Sequence, residues 1–343
     1  MAIKLFKPFI SQEARDNVER VLLSDQIAEG EEVRALENEF SKATGLQNVV
    51  AVNSGTSALE LAYDLAGIEP GVEVIAPVLT CTATNIPLVR RGAQIVFADI
   101  DEDLNLNIED VKRKITNRTR AIVFVHFGGN NRGLEELSEI CIREGITLIE
   151  DAAQAVGSET YGLGRFTCIS LQAIKTVTSG DGGILACKLD SDYKKAKRLR
   201  WFGYDREEKQ RLGDTDLLEA GYKFHMNNVS AAIGRGNLIH LKELVEHRKR
   251  LAEVYRSYGM FAHTWLAGGF TDDYKNLEAI YAGYGIQIGQ HHYRNDKYSI
   301  FYKFGNECPV MDRLDGKYFF VPYHHGVSTA QAHLIGKMYK EYG

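Results

Sequence analysis

Lys175 follows the apolar run Cys168-Ile169-Ser170-Leu171 and precedes the glycine-rich stretch Ser179-Gly180-Asp181-Gly182-Gly183. A second apolar run, Thr147-Leu148-Ile149, ends in Glu150-Asp151-Ala152-Ala153-Gln154-Ala155. A lysine after one strand and an acid at the end of another are the two groups that Schiff-base chemistry requires. The amine can bond covalently to an aldehyde, and the acid can hold a pyridinium nitrogen. Upstream, Asn53-Ser54-Gly55-Thr56-Ser57-Ala58-Leu59 reads as a strand-to-helix junction. The free N–H groups and positive end of such a helix suit a phosphate; Gly55 permits close backbone approach and Thr56 adds a hydroxyl. Each feature taken alone has a plainer reading. Lys175 could be a solvated loop residue, Asp151 a helix cap or ion-pair partner, Ser54 and Thr56 an ordinary N-cap, and Ser170 a routine strand serine. The glycines match neither GxxxxGK[ST] nor GxGxxG, so the common nucleotide loops are excluded.

These residues need elements to bring them together. Short β-rich runs at 48–52, 72–76, 94–98, 119–125, 147–149, 168–171 and 183–187 alternate with helical patterns at 57–65, 82–90, 108–114 and 134–144. Such alternation predicts an α/β fold, with right-handed crossovers and a mainly parallel seven-stranded sheet between helices. In sheets of this kind ligands collect at the carboxyl ends of the strands. Ser54-Gly55-Thr56, Asp151 and Lys175 would all sit there. From Asn228 to about Tyr258 the pattern is helical throughout, with Ala231, Leu238, Leu244 and Leu251 among its apolar positions. A chain of 343 residues exceeds the size at which one core stops growing. We expect a large domain over residues 1–240, with an N-terminal arm over about 1–30, and a small α+β domain over 241–343.

The formal net charge of -5 argues against general binding to nucleic acid. No stretch reaches the roughly 18 uncharged apolar residues of a membrane span, and the opening residues lack the long apolar core of a signal peptide. Cys81, Cys141, Cys168, Cys187 and Cys308 are scattered and never form a CxxC pair, which suggests neither disulfides nor zinc. The expected setting is a reducing cytoplasm. His291, His292, His324 and His325 have no metal-ligand spacing, so no metal is expected. The basic run Lys194, Lys195, Lys197, Arg198 and Arg200 could meet a nucleotide diphosphate but reads more simply as a solvated helix face.

The order and spacing of several segments resemble the DegT/DnrJ/EryC1/StrS family of pyridoxal-phosphate (PLP) sugar aminotransferases, which have the fold of aspartate aminotransferase (fold type I). The segments include Lys7-Pro8-Phe9-Ile10, Val52-Asn53-Ser54-Gly55-Thr56-Ser57-Ala58-Leu59 and Ala76-Pro77-Val78-Leu79-Thr80-Cys81-Thr82-Ala83-Thr84-Asn85. They continue through Glu150-Asp151-Ala152-Ala153-Gln154-Ala155, Ser170-Leu171-Gln172-Ala173-Ile174-Lys175 and Gly180-Asp181-Gly182-Gly183. Gly221-Tyr222-Lys223-Phe224-His225-Met226-Asn227-Asn228 and the weaker Val321-Pro322-Tyr323-His324 complete the set.

The resemblance implies that Lys175 forms the internal aldimine with PLP, Asp151 holds the pyridine nitrogen and Gln154 reaches the ring hydroxyl. Gly55, Thr56 and Ser170 would hold the phosphate. Cys81 stands where family members often place an aromatic ring over the cofactor. It would cover that face as a small polarizable group, or be a plain buried cysteine. Lys223 stands where many members carry an asparagine that reaches the neighbouring subunit's phosphate. A lysine there offers a point charge and implies a homodimer with shared sites, unless it is simply solvated.

The activity implied is transfer of an amino group from L-glutamate to a nucleotide-linked keto sugar, with pyridoxamine phosphate as the intermediate form and ping-pong kinetics. A 4-keto-6-deoxyhexose on dTDP, UDP or GDP is the first expectation. The alternatives are a 3-keto sugar, a sugar dehydratase of the same fold, and a non-catalytic PLP-binding relative. The dehydratase branch typically replaces the lysine with histidine, so Lys175 argues against it. The passage from Tyr258 to Tyr281 is shorter than the resemblance leads one to expect, which implies an abbreviated small domain.

Overall fold

Seven strands form the central sheet: β1 (Val49–Val52), β2 (Glu73–Pro77), β3 (Gln94–Ala98), β4 (Thr119–Val125), β5 (Thr147–Asp151), β6 (Phe166–Ser170) and β7 (Gly183–Cys187). In this computed structural model, which describes every residue except Met1, Asp214, Leu218 and Asn306, their spatial order is β1-β7-β6-β5-β4-β2-β3. All run parallel except β7, which is antiparallel to both its neighbours. β1, β2, β6 and β7 are buried at every position, as a sheet covered on both faces requires. β5 runs two residues beyond the predicted Ile149. Glu150 and Asp151 stay in the ladder, opposite Phe124 and Val125 on one side and Thr167 and Cys168 on the other. Pairing on both edges overrides the poor strand propensity of the two acids.

The helices that position the site come early. They include α1 (Gln12–Leu23), α2 (Glu31–Thr44), α3 (Gly55–Leu65) and α4 (Thr82–Arg90). α3 starts two residues before the apolar pattern does, because the Ser54 hydroxyl accepts the Ser57 N–H at 3.0 Å and caps it. The predicted helix over 228–258 is two helices, Asn228–Leu238 and Leu241–Ser257. The first is locked to the N-terminal segment: Ser11 Oγ donates to Gly236 O at 2.8 Å, and a Cβ on Gly236 would lie 2.2 Å from Ala14 N. The second packs into a different core, through Leu251 and Tyr255. One straight helix cannot serve both, and the chain turns at Ile239-His240.

That second core belongs to a three-stranded antiparallel sheet of β8 (Phe261–Ala262), β9 (Ala267–Phe270) and β10 (Tyr318–Phe320), in the order β10-β9-β8. Helices Leu241–Ser257, Tyr274–Gly283 and Thr329–Tyr342 contribute Tyr255, Tyr281 and Ile335 to the same core. The N-terminal segment crosses to this unit. Ile3 N–H donates to Gly285 O at 2.8 Å, and the Phe6 ring stacks on Trp265 with centroids 5.5 Å apart.

The basic run is less solvated than its composition suggests. Lys194 pairs with Asp190, and Lys195 and Arg198 both pair with Glu219. Arg200 is buried between Glu29 and Glu37. Among the described residues, no helix is long and apolar enough to cross a membrane.

Candidate active site

The carboxyl ends of β1, β5 and β6 and the start of α4 converge on a cavity of about 300 Å³. Its lining brings together Gly55, Thr56, Cys81, Asp151, Gln154, Ser170 and Lys175, seven of the eight expected site residues. The eighth, Lys223, is exposed and is not among the residues lining this cavity. Its carbonyl accepts from Asn53 Nδ2 at 3.3 Å.

At one end lies the start of α3. Ser54 Oγ takes the Ser57 N–H and Ser54 O takes the Ala58 N–H, which leaves the first two amides of the helix, on Gly55 and Thr56, for an anion. The approach of strand backbone to this turn is very close. A Cβ on Gly55 would lie 2.9 Å from Ser170 Cβ, and one on Gly183 would lie 2.3 Å from Ser54 O. Only glycine fits either position, and the result is a shallow cradle with the Ser170 hydroxyl beside it.

Asp151, at the last position of β5, is held from two sides. Thr84 Oγ1 donates to its Oδ2 at 2.7 Å and Ala153 N–H to its Oδ1 at 3.2 Å. Thr84 is itself fixed, with its hydroxyl 2.9 Å from that of Thr80 and its carbonyl accepting from Tyr63 Oη at 2.8 Å. Thr84 was not singled out in the sequence as a site residue, although it lies inside one of the quoted motifs. Cys81, the residue that precedes α4, lines the cavity, and burial pushes its thiol up.

Lys175 sits half-buried where the segment after β6 turns back, its N–H donating to Gln172 O at 2.9 Å. Burial lowers its ammonium to about 8, with the charges of Asp151 and Cys81 opposing the shift. Such a lysine is an available base near neutral pH. Its ammonium rests over Trp265, 4.1 Å from the ring centroid. No local pattern could have revealed Trp265, which comes from the other unit.

The remaining wall is histidine. Gly128 N–H donates to Gln154 Oε1 at 2.6 Å, which orients the amide so that Nε2 is its donor. His292 Nε2, 3.0 Å away, must then accept, and its proton sits on Nδ1. Burial, His291 and Lys175 all hold His292 well below the usual imidazole range, which agrees with this neutral tautomer. His291 is pushed down to about 4 by burial and then by Lys175. His126 lies outside the cavity lining and forms a fully buried pair with Glu150, Nε2 to Oε2 at 2.8 Å.

The matching family is that of the DegT/DnrJ/EryC1/StrS aminotransferases, and the match spans residues 8–264. The chain belongs to this family. Among relatives, a UDP-4-amino-4-deoxy-L-arabinose–oxoglutarate aminotransferase of Shewanella sediminis is 34% identical over 264 residues, covering 74% of this chain and 68% of that protein. A GDP-perosamine synthase of Vibrio cholerae is 34% identical over 254 residues, covering 71% of this chain and 68% of that one. The fold matches the sugar aminotransferase CalS13 of Micromonospora echinospora with a TM-score of 0.92 at 28% identity, covering 99% of this chain and 100% of that one. As a DegT/DnrJ/EryC1/StrS aminotransferase, the chain carries its family match across the central sheet and on to residue 264, which includes every expected site residue.

Proposed function

We propose that this protein is a PLP-dependent aminotransferase that moves an amino group from L-glutamate to a nucleotide-linked keto sugar. One observation carries the reading: Lys175, Asp151 and the free amides of α3 line a single cavity. The residues present fit the cofactor, because the glycine cradle gives a phosphate direct access to those amides. Gly55, Thr56 and Ser170 would hold the phosphate, Asp151 would keep a proton on the ring nitrogen, and Cys81 would lie against the ring.

When bound, PLP supplies an aldehyde for capturing amines and an electron sink for charge developing beside the captured nitrogen. Lys175, with its ammonium lowered to about 8, takes and returns the substrate proton near neutral pH. Thr84 and the Ala153 N–H keep the Asp151 carboxylate oriented throughout. Gln154 and His292, locked to each other and to Gly128, form a rigid wall beside the lysine.

The name of the Shewanella sediminis relative contains oxoglutarate, which supports glutamate as donor, and UDP with a 4-amino sugar, which supports a 4-keto sugar nucleotide as acceptor. The exposure of Lys223 outside its own cavity supports a homodimer in which it reaches the partner's phosphate site. The five free cysteines fit a cytoplasmic setting.

The test is spectroscopic. Purified protein given PLP should gain a visible absorbance band that Lys175→Ala abolishes. Glutamate should bleach the band with release of 2-oxoglutarate, and a nucleotide-linked 4-keto sugar should restore it. A band that glutamate leaves untouched overturns the glutamate-dependent reading.

A further inference from the structure

His292 has a left-handed backbone, with φ at +68°. Of the five non-glycine residues with positive φ among the described residues, it alone lines the active-site cavity. Such a conformation is disfavoured for an L side chain and persists only where the surroundings fix it. Here they do. Buried Tyr318, on β10, donates from Oη to His292 O at 2.8 Å. Fully buried Asn295 gives its N–H to Val78 O at 2.7 Å, and its Nδ2 donates to Thr80 O at 2.8 Å and Tyr293 O at 3.1 Å. Asn85 Nδ2, on α4, completes the anchor by donating to Asn295 Oδ1 at 2.9 Å. The turn from His292 to Asn295 is thus tied to the small antiparallel sheet at one end and to α4 and the segment before it at the other.

The imidazole is the group that this turn presents. Gly128 N–H fixes Gln154 Oε1, but one hydrogen bond fixes a point and leaves the amide free to swing about it. The second contact, from Gln154 Nε2 to His292 Nε2 at 3.0 Å, fixes the plane of the amide. Gln154 Nε2 carries two hydrogens. His292 takes one, and the other has no partner among the described residues, so it is left for a ligand in the cavity that Gln154 lines. The lock needs a neutral imidazole. Burial disfavours the charged form, and so do the two titratable groups that face the ring, His291 at 3.9 Å between centroids and Lys175.

The same turn reaches the other polar support of the site. Thr80, whose carbonyl Asn295 holds, has its hydroxyl 2.9 Å from that of Thr84, which donates to Asp151. Gln154 and Asp151 are therefore set relative to each other by one short segment of the C-terminal unit.

We propose that His292 is a positioning residue: it holds the Gln154 amide so that the free N–H is aimed at the ring oxygen of the cofactor, and the left-handed turn ending at Asn295 places it. The role rests on the cavity taking PLP, as in the proposed function, and on no property of the substrates. An N–H given to that oxygen favours its charged form, so the loaded protein gives up the neighbouring proton at lower pH. Without His292 the amide loses its aim and that proton is held more tightly.

The test follows the visible absorbance of the PLP-loaded full chain as pH is raised. His292→Phe keeps a ring but no acceptor, and should move the midpoint up by roughly 0.5–1 in pH, the worth of one hydrogen bond. His292→Gln, whose Oε1 can stand where the imidazole Nε2 stood, should return it to the wild-type value. In a Gln154→Leu background His292→Phe should add nothing, because the histidine acts only through the amide. A midpoint that His292→Phe leaves in place, or moves equally with and without Gln154, overturns the positioning role. Should His292→Phe fail to fold, His292→Asn replaces it, since asparagine tolerates the left-handed backbone and is too short to reach Gln154. A cofactor-free arm keeps this role apart from the aminotransferase reading. Nitrogen NMR of labelled histidine should show His292 neutral, with its proton on Nδ1, from about pH 8 to pH 6, where free imidazoles titrate. A cationic His292 in that range overturns the lock whether or not PLP binds. A loaded protein that titrates as expected but that glutamate cannot bleach sinks the aminotransferase reading and leaves the positioning role intact. A chain that takes up no PLP overturns both.

Discussion

The ammonium of Lys175 lies over the indole ring of Trp265 at 4.1 Å, and the indole N–H donates in turn to Ile174 O at 3.2 Å, on the residue before the lysine. The tryptophan therefore holds both the charge of the lysine and the backbone that carries it. It is nearly fully buried, at 2% exposure, and stacks against Phe6. The C-terminal unit thus supplies the resting place for a residue borne by the central sheet.

Removing that ring should cost stability and cofactor together. Trp265→Ala is expected to destabilise the fold by about 3–5 kcal/mol, the usual cost of truncating a buried large aromatic. Trp265→Phe should lose markedly less, because it keeps most of the buried area and a π face for the ammonium. Chemical denaturation of the three proteins, with PLP retention measured after gel filtration, checks the order wild type, Phe, Ala.

The close approach at the phosphate cradle gives a second expectation. Gly55→Ala places a methyl 2.9 Å from Ser170 Cβ and 3.2 Å from Ser170 Cα, so the strand end must shift. Overpacking of this kind costs about 1–3 kcal/mol, which, borne by the cofactor-bound state, corresponds to a loss of about fivefold to 150-fold in PLP affinity. Titration of PLP by absorbance reads the change. Gly55→Ala/Ser170→Gly, which relieves the side-chain contact but removes the hydroxyl proposed to hold the phosphate, should regain stability without regaining PLP affinity.

The amine of Lys175 predicts a pH profile. With its ammonium lowered to about 8, roughly one molecule in ten carries the reactive neutral amine at pH 7, against one in a few thousand for an ordinary lysine. The rate of PLP capture by cofactor-free protein should climb with pH and level off above about 8. Asp151 opposes the lowering, so Asp151→Asn should move the midpoint to lower pH. Stopped-flow absorbance measures both profiles, and a midpoint near that of free lysine would contradict the burial argument.

The pair of His126 and Glu150 concerns stability rather than chemistry. Burial alone would raise the Glu150 carboxyl, but the bond to His126 and the N–H groups of Gly164 and Gly162 outweigh it and hold the group below its ordinary 4.5. A carboxyl lowered on folding contributes stability that is present above its unfolded pKa and lost as pH falls through the folded one. The fold should therefore weaken progressively below about pH 4.5. Glu150→Gln sets an amide NH2 where an acceptor oxygen was and should lose about 1–3 kcal/mol at neutral pH, the usual cost of leaving a buried donor unpaired, with a flatter acid limb. Urea denaturation across pH tests the sign as well as the size.

Much of the site was legible because it is built from local junctions. Ser54-Gly55-Thr56, Asp151 and Ser170 each stand at the end of a strand or the start of a helix, and Lys175 in the turn after β6, where residue type and period reveal the backbone geometry. The C-terminal end of β5 was less legible, since Glu150 and Asp151 are poor strand formers kept in the ladder by pairing on both sides. The break at Ile239-His240 was hidden for a similar reason: both halves are amphipathic, and only their separate cores turn the chain.

By itself the sequence determined the succession of strands and helices along the chain, the family, and seven of the residues that line the cavity, because these follow from periodicity and from short motifs. Only the tertiary structure decided which side chains complete the set. Thr84 on Asp151, Trp265 on Lys175 and His292 on Gln154 all meet across long stretches of chain. Charge and burial at such contacts depend on what packs against a residue from elsewhere in the chain, and no local pattern encodes that.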